Sequence, residues 1–214
     1  IFMAFLKEDD IKVIQERFAP LTGLVTLKFF ESKENCEYCA DTKQMLEELT
    51  NLTDKLNLEI YDLDSDEAKK YDVTKAPAIV PLDEKESDFG MKFYGIPAGY
   101  EFSTLLETIE LLSKGNLELN DELDKKISQI DFDVDLQVFV TPTCPYCPQG
   151  VLTAFALAYK NKNITASMVE ATEFPELSKK YGVMGVPRTV INNDEASLEG
   201  AAPMPMVLDK ILEL

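Results

Sequence analysis

The sequence predicts an α/β protein of two fused, similar domains, each a mixed sheet of about four strands flanked by helices. Three observations carry this. Cys36-Glu37-Tyr38-Cys39 is followed by Val73-Thr74-Lys75-Ala76-Pro77, and Cys144-Pro145-Tyr146-Cys147 by Val183-Met184-Gly185-Val186-Pro187. The first cysteines of the two motifs lie 108 residues apart and the prolines 110, an offset near the commonest domain size. The hydrophobic spacing also alternates between helical and strand-like in the same order in both halves.

In the first half, Ile11, Val13, Ile14 and Phe18 fall at helical spacing behind an acidic start, predicting a helix from about Lys7 to Ala19 that Pro20 helps to end. Leu24 to Phe30 is a short apolar run and reads as a buried strand. The CEYC motif comes next, and Met45, Leu46 and Leu49 continue a helix to about Thr50. Leu58 to Leu63 alternates as a strand does, and Asp66 to Tyr71 reads as a short helix. Pro77 opens the strand Ala78 to Leu82, Asp83 to Asp88 is an acidic turn, and Met91 to Tyr94 is a returning strand. Ser103 to Ser113 closes the half as a helix with Leu105, Leu106, Ile109 and Leu112 on one face.

The second half repeats the order. Asn120 is an N-cap before a helix marked by Leu123, Ile127 and Ile130. Leu136 to Val140 is a strand, and CPYC opens a helix running through Val151 to Lys160. Ile164 to Val169 is a strand, Pro175 to Tyr181 a helix, and Pro187 precedes the strand Thr189 to Ile191. Ala196 to Leu198 returns, and Met206 to Leu214 closes as a helix. Gly115-Asn116 is the punctuation between the halves, which sets the expected domains at 1–116, with the CEYC site, and 117–214, with the CPYC site.

Composition narrows the function. The net charge of −18 argues against nucleic acid, whose binding needs a basic surface, and against an anionic membrane surface. With no histidine in the chain, Ser-His-Asp and Cys-His catalysis and His-ligated metals are excluded. The most apolar helical run, Val151 to Tyr159, is far short of the ~20 residues that span a bilayer. The apolar start Ile1-Phe2-Met3-Ala4-Phe5-Leu6 lacks a basic segment and soon meets Glu8, Asp9 and Asp10, so it does not read as a signal peptide, and a cytoplasmic location is expected.

All four cysteines belong to the two motifs, so none is left for a structural disulfide. A CxxC pair closes a small disulfide ring, and reversible thiol–disulfide exchange is the chemistry it serves. A cysteine in the first turn of a helix faces unpaired N–H groups and the positive end of the dipole, which lowers its pKa. Cys36 and Cys144 are therefore expected as the attacking nucleophiles, with Cys39 and Cys147 a turn further along as the resolving thiols. Tyr38 and Tyr146 hold matching positions and are candidates to shape the apolar face beside the sulfurs, with a purely packing role equally open. Pro145 suits a first helical turn. Glu31, Glu34 and Glu37 surround Cys36, offset only by Lys33, whereas Cys144 sits in uncharged Thr141-Pro142-Thr143. Negative charge disfavours a thiolate, so Cys144 is expected to be the more acidic thiol and its pair the more oxidising. Arg188, just after Pro187, reads as a surface charge.

On these residues the chain resembles the thioredoxin superfamily over nearly its whole length, as a tandem pair. CPYC is the glutaredoxin-type motif, and Ala76-Pro77 and Val186-Pro187 match the superfamily's cis-proline position. Two such units with intact CxxC motifs resemble the archaeal and thermophilic protein disulfide oxidoreductases, also called glutaredoxin-like proteins. The resemblance implies thioredoxin folds, oxidase, reductase and isomerase activity on protein disulfides and dithiols, and substrate contact at Ala76, Pro77, Val186 and Pro187. It further implies reduction by a flavin-containing thioredoxin reductase; a peroxiredoxin is a separate candidate partner, set by the electron-carrier reading below. No bound cofactor and no metal are expected, because the electrons reside in the sulfurs. One departure is clear: Phe30 and Val138 stand six residues before the first cysteines, where thioredoxin has a buried carboxylate that assists proton transfer.

Three other readings compete for the same residues. A four-cysteine zinc site would have to join pairs a whole repeat apart, unlike the short spacings of zinc ribbons. A dedicated electron carrier between a flavoprotein reductase and a peroxidase uses the same chemistry with fewer partners. A binding protein with structural cysteines is the third.

Overall fold

The computed structural model describes residues 5–214; residues 1–4, where most of the apolar start lies, are outside the described residues. The chain forms two compact units. One holds the residues up to Asp88 together with Ile109–Asn116, and the other holds Phe89–Thr108 and Leu117–Leu214.

In the first unit, α1 (Glu8–Phe18) precedes β1 (Val25–Glu31), which lies between β2 (Leu56–Asp62), parallel to it, and β3 (Ala78–Leu82), antiparallel. Strand β1 buries six of its seven residues because it is central and covered on both faces. Met45, Leu46 and Leu49 of α2 (Cys39–Thr50) are fully buried with Leu27, Phe29 and Ile79. The helix α3 (Asp66–Lys70) is capped by Ser65, whose hydroxyl accepts the Ala68 N–H. Lys28 is the exception on β1. Its ammonium is nearly buried, pairs with Glu59 at 2.7 Å and Glu67 at 3.2 Å, and lies over the rings of Tyr61 and Tyr71. Burial pulls its pKa down, but the hydrogen bonds to Glu59, Glu67 and Tyr61 outweigh this and raise it.

In the second unit the strand order is β4 (Met91–Tyr94), β6 (Ile164–Glu170), β5 (Val134–Val140), β7 (Arg188–Ile191), β8 (Ala196–Glu199). Strand β6 runs parallel to both β4 and β5; β7 is antiparallel to β5 and to β8. Phe93 of β4 meets Phe155 of α6 (Cys147–Lys160) edge-on, with ring centres 5.0 Å apart. The other helices are α5 (Asp121–Ile127), α7 (Pro175–Lys180) and α8 (Met204–Leu212), while α4 (Glu101–Lys114) begins in this unit and ends in the first.

Each sequence repeat thus supplies four strands to a mixed α/β fold, as the periodicity predicts, and most element ends shift by a residue or two. Two positions differ from the pattern. The strand Met91–Tyr94 pairs in parallel with β6 of the second repeat, which the residues of the first repeat alone do not reveal. Ile130 is buried just beyond the end of α5 rather than within it, and the Asn161 and Asn163 amides donate to its carbonyl. Among the described residues no helix is long and apolar enough to cross a membrane.

Candidate functional site

Both CxxC pairs are closed as disulfides within their own motifs, with Cα–Cα distances of 5.4 Å for Cys36–Cys39 and 5.5 Å for Cys144–Cys147. Cys39 and Cys147 are the first residues of α2 and α6. Cys36 and Cys144 therefore stand in the turn ahead of the helix, not inside its first turn as the spacing predicts, because two turn residues follow each of them before the helix begins. The orphan N–H groups of the helix still lie just beyond the ring. Pro145 belongs to that turn as well; the proline in the first turn of α6 is Pro148.

Each site lies where a central strand ends. Strand β1 runs into Ser32–Cys36 and pairs Phe30 with Ala78, so the Ala76–Pro77 step enters beside the strand that leads to the sulfurs. Strand β5 does the same, pairing Phe139 with Arg188 just after Val186–Pro187. Both X-Pro bonds are cis. In the second site the Val186 carbonyl oxygen lies 3.7 Å from the Cys144 sulfur. A disulfide sulfur has no proton to donate there, but the reduced Cys144 thiol does. Gly150, one turn into α6, faces the same proline: a Cβ there would stand in ordinary van der Waals contact with the Pro187 ring and Val138, at 3.4 Å.

In each ring the second sulfur is the more buried. Cys39 is 7% exposed where Cys36 is half-buried, and Cys147 is fully buried where Cys144 is 8% exposed. The Ser32 N–H donates to the Cys39 sulfur at 3.4 Å. Tyr38 and Tyr146 occupy the N-cap positions of α2 and α6; the Tyr38 carbonyl accepts from Thr42, and Tyr146 is largely exposed. Met184, in the loop leading to Pro187, is 95% exposed.

The charges around the first site are arranged less simply than the sequence implies. Lys33 lies 3.5 Å from Asp62, and Lys43 pairs with Glu31 at 3.4 Å. An open polar cleft of about 610 Å³ adjoins this site, lined by Ser32, Lys33, Glu34, Asn35, Asp62, Asp64 and Ser65. Arg188 is largely buried rather than a surface charge: its guanidinium pairs with Glu199 and Asp194 and donates to Ser197 across β7 and β8.

Phe30 and Val138 are fully buried, so both sites have an apolar floor where thioredoxin has its carboxylate. The second unit contains a buried acid that sequence reasoning missed. Glu101 is 1% exposed; burial pushes its pKa up to about 7 despite the hydrogen bond its Oε2 accepts from Thr104 at 2.7 Å, and its Oε1 has no hydrogen-bond partner. It follows Tyr100, whose N–H donates to the Pro142 carbonyl, two residues before Cys144. A signal existed in the sequence: Glu101 lies four residues before Leu105, on the apolar face of α4, where a charge is out of place.

Residues 134–213 match the thioredoxin domain family. The whole chain is similar to the NTD_N/C domain of alkyl hydroperoxide reductase AhpF from Enterococcus faecalis (V583), with 30% identity, 97% of this chain and 100% of that one covered, and a TM-score of 0.88. It is similar to a protein disulfide oxidoreductase from Aeropyrum pernix K1, with 29% identity, coverage of 98% and 94%, and a TM-score of 0.88. The corresponding alkyl hydroperoxide reductase protein of Staphylococcus aureus (strain NCTC 8325) is 28% identical over 169 residues, which are 79% of this chain and 31% of that protein. The chain thus spans about a third of the length of the curated relatives it matches.

Proposed function

Since the chain belongs to the thioredoxin-fold disulfide oxidoreductases that carry two CxxC motifs, we propose that it exchanges dithiols and disulfides with protein substrates at both sites, with reductase, oxidase and isomerase activity. The observation that carries this is the repeated arrangement of a closed CxxC ring at a helix start, beside a cis X-Pro step.

In the reducing direction, the Cys36 or Cys144 thiolate attacks one sulfur of a substrate disulfide. A mixed disulfide forms, and the other substrate sulfur leaves as a thiolate and takes up a proton. Cys39 or Cys147 then loses its proton and attacks the Cys36 or Cys144 sulfur. The ring closes, and the second substrate thiolate departs, so two electrons have passed to the substrate. The deeper burial of Cys39 and Cys147 supports their role as resolving thiols. An extended substrate segment pairs with the backbone at Ala76-Pro77 and Val186-Pro187, with Tyr38 and Tyr146 at the rim.

A flavin-containing thioredoxin reductase resupplies the electrons, and the cytoplasm is the setting. The repeats 1–116 and 117–214 act as one redox domain each. The similarity to the AhpF proteins favours a second reading, in which the chain relays electrons from a flavoprotein to a peroxidase such as a peroxiredoxin.

Dithiothreitol-driven insulin reduction by the wild type, Cys36→Ser, Cys144→Ser and the double variant tests the first reading. Activity should fall most with Cys144→Ser and reach background in the double variant. A wild type that reduces insulin no faster than dithiothreitol alone, yet restores turnover of a peroxiredoxin, selects the relay. Inactivity in both assays with four titratable thiols refutes both.

A further inference from the structure

The turn that presents Cys144 is held from outside its own repeat. Thr141 to Cys144 is a reverse turn in which the Cys144 N–H donates to the Thr141 carbonyl at 3.1 Å. Pro142 takes the second position, where its fixed φ fits. The carbonyl of Pro142 points out of the turn and accepts the Tyr100 N–H at 3.0 Å. Gly99 lies directly against that carbonyl. Its φ is +60°, and a Cβ there would fall onto the Pro142 carbonyl oxygen and come within 2.9 Å of the carbonyl carbon. These are backbone atoms, so a change of rotamer cannot relieve the clash. Any side chain at position 99 must displace Pro142, and with it the turn that carries Cys144.

Among the described residues the first site has no such tie. The carbonyl two residues before Cys36 is that of Glu34, and it accepts the hydroxyl of Ser32 at 2.8 Å; that same hydroxyl oxygen accepts the Glu34 N–H at 3.2 Å. That turn is closed by its own residues.

We propose that Gly99 and the Tyr100 N–H position the second redox turn and thereby set how readily the Cys144–Cys147 ring closes. They are positioning groups; neither touches the reacting sulfurs. The proposal rests on Cys144–Cys147 being a reversible redox pair. A tight clamp holds Cys144 where its sulfur meets Cys147, so loosening it lowers the effective concentration of one thiol at the other and makes the disulfide easier to reduce.

Gly115 supplies the control. Its φ is +67°, but nothing lies within 4 Å of where a Cβ would stand. Gly115→Ala therefore imposes a similar backbone penalty without the collision. Full-length wild type, Gly99→Ala and Gly115→Ala are equilibrated in glutathione redox buffers, trapped by alkylation, and the two CxxC peptides quantified separately by mass spectrometry. Gly99→Ala is expected to lower the closing constant of Cys144–Cys147 about tenfold, equivalent to about 30 mV. The Cys36–Cys39 pair should stay within about twofold, and Gly115→Ala should move neither pair. A folded Gly99→Ala protein whose second pair is unmoved, or whose two pairs move alike, overturns the proposal. If Gly99→Ala does not fold, hydrogen exchange at the Tyr100 amide of the wild type decides. Protection like that of the β5 amides supports the clamp, and exchange at the rate of an open loop overturns it. A wild type whose pairs cannot be reduced removes the redox function itself, an outcome these exchange rates do not mimic.

Discussion

Two residues ahead of Cys36, the Glu34 carbonyl is held by the hydroxyl of its neighbour Ser32; two residues ahead of Cys144, the Pro142 carbonyl is held by the Tyr100 N–H from another stretch of chain. The motifs have the same spacing, the same closed ring and the same cis X-Pro step. Their surroundings differ. The first site is polar, with exposed Lys33 and Glu34 and an open cleft beside them. The second has a more buried nucleophile, a carbonyl facing its sulfur and a buried acid, Glu101, next in sequence to the Tyr100 amide that holds its turn. Among the described residues the buried carboxylates, Glu101 and Glu170, both belong to the second unit. A repeated motif thus specifies the bond chemistry, while the residues that tune it come from places the repeat does not copy.

The largest expected effect is at Glu101. The native state keeps its proton up to about pH 7, whereas an unfolded carboxyl loses it near the ordinary glutamate value of 4.5. The native state therefore binds more protons in between, and stability falls as pH rises from about 4.5 to 7. Glu101→Gln removes this dependence and should stabilise the protein by up to about 3 kcal/mol at pH ~8, with little change near pH ~4. Urea unfolding at both pH values checks it, and an equal effect at the two would show that Glu101 is ionised throughout.

The thiols come next. The charges around Cys36 favour Cys144 as the more acidic thiol, while burial and the Val186 carbonyl act the other way by favouring the protonated form. We expect charge to prevail at low ionic strength, giving Cys144 the larger thiolate fraction, with the gap narrowing at about 1 M salt. Alkylation rates against pH for each thiol measure this; a more acidic Cys36 would reverse the ranking of the sites.

Ser32→Ala removes the local tie of the first turn. It should cost about 1 kcal/mol in holding that turn, read as a roughly fivefold change in the closing constant of Cys36–Cys39. The Cys144–Cys147 constant should not move. The smallest effect is expected from Glu34→Gln with Glu37→Gln, which should raise the alkylation rate of Cys36 by less than about twofold at low salt and hardly at all at high salt, since both carboxylates are exposed.

Local signals made most of the fold legible. Pro77 marks the start of β3, and Asn120 caps α5 through the Leu123 N–H. The cysteine and proline positions follow from spacing, since each motif is contiguous. The rest depended on pairing across repeats. Met91–Tyr94 has the pattern of any short strand, and nothing in its residues names β6 as its partner. Gly99 reads as a loop glycine until Pro142 is seen against it. Glu101 stands on the apolar face of α4, which hints at burial, but it is also a first-turn acid of the kind helix electrostatics favours, and its raised pKa comes from its surroundings in the fold. Arg188 reads as a surface charge because Ala78 fills the matching place, while its partners Asp194, Ser197 and Glu199 lie beyond the motif.

The parallel pairing of β4 with β6 bears on where this chain can be divided. A fragment beginning at the repeat boundary would carry CPYC and its proline but leave β6 with a bare edge, open to pairing with other copies and to aggregation. It would also lack the Tyr100 amide and Glu101. A fragment beginning at Phe89 keeps β4, the Tyr100 amide and Glu101, so the part of the chain that serves the second disulfide is longer than the repeat that encodes it.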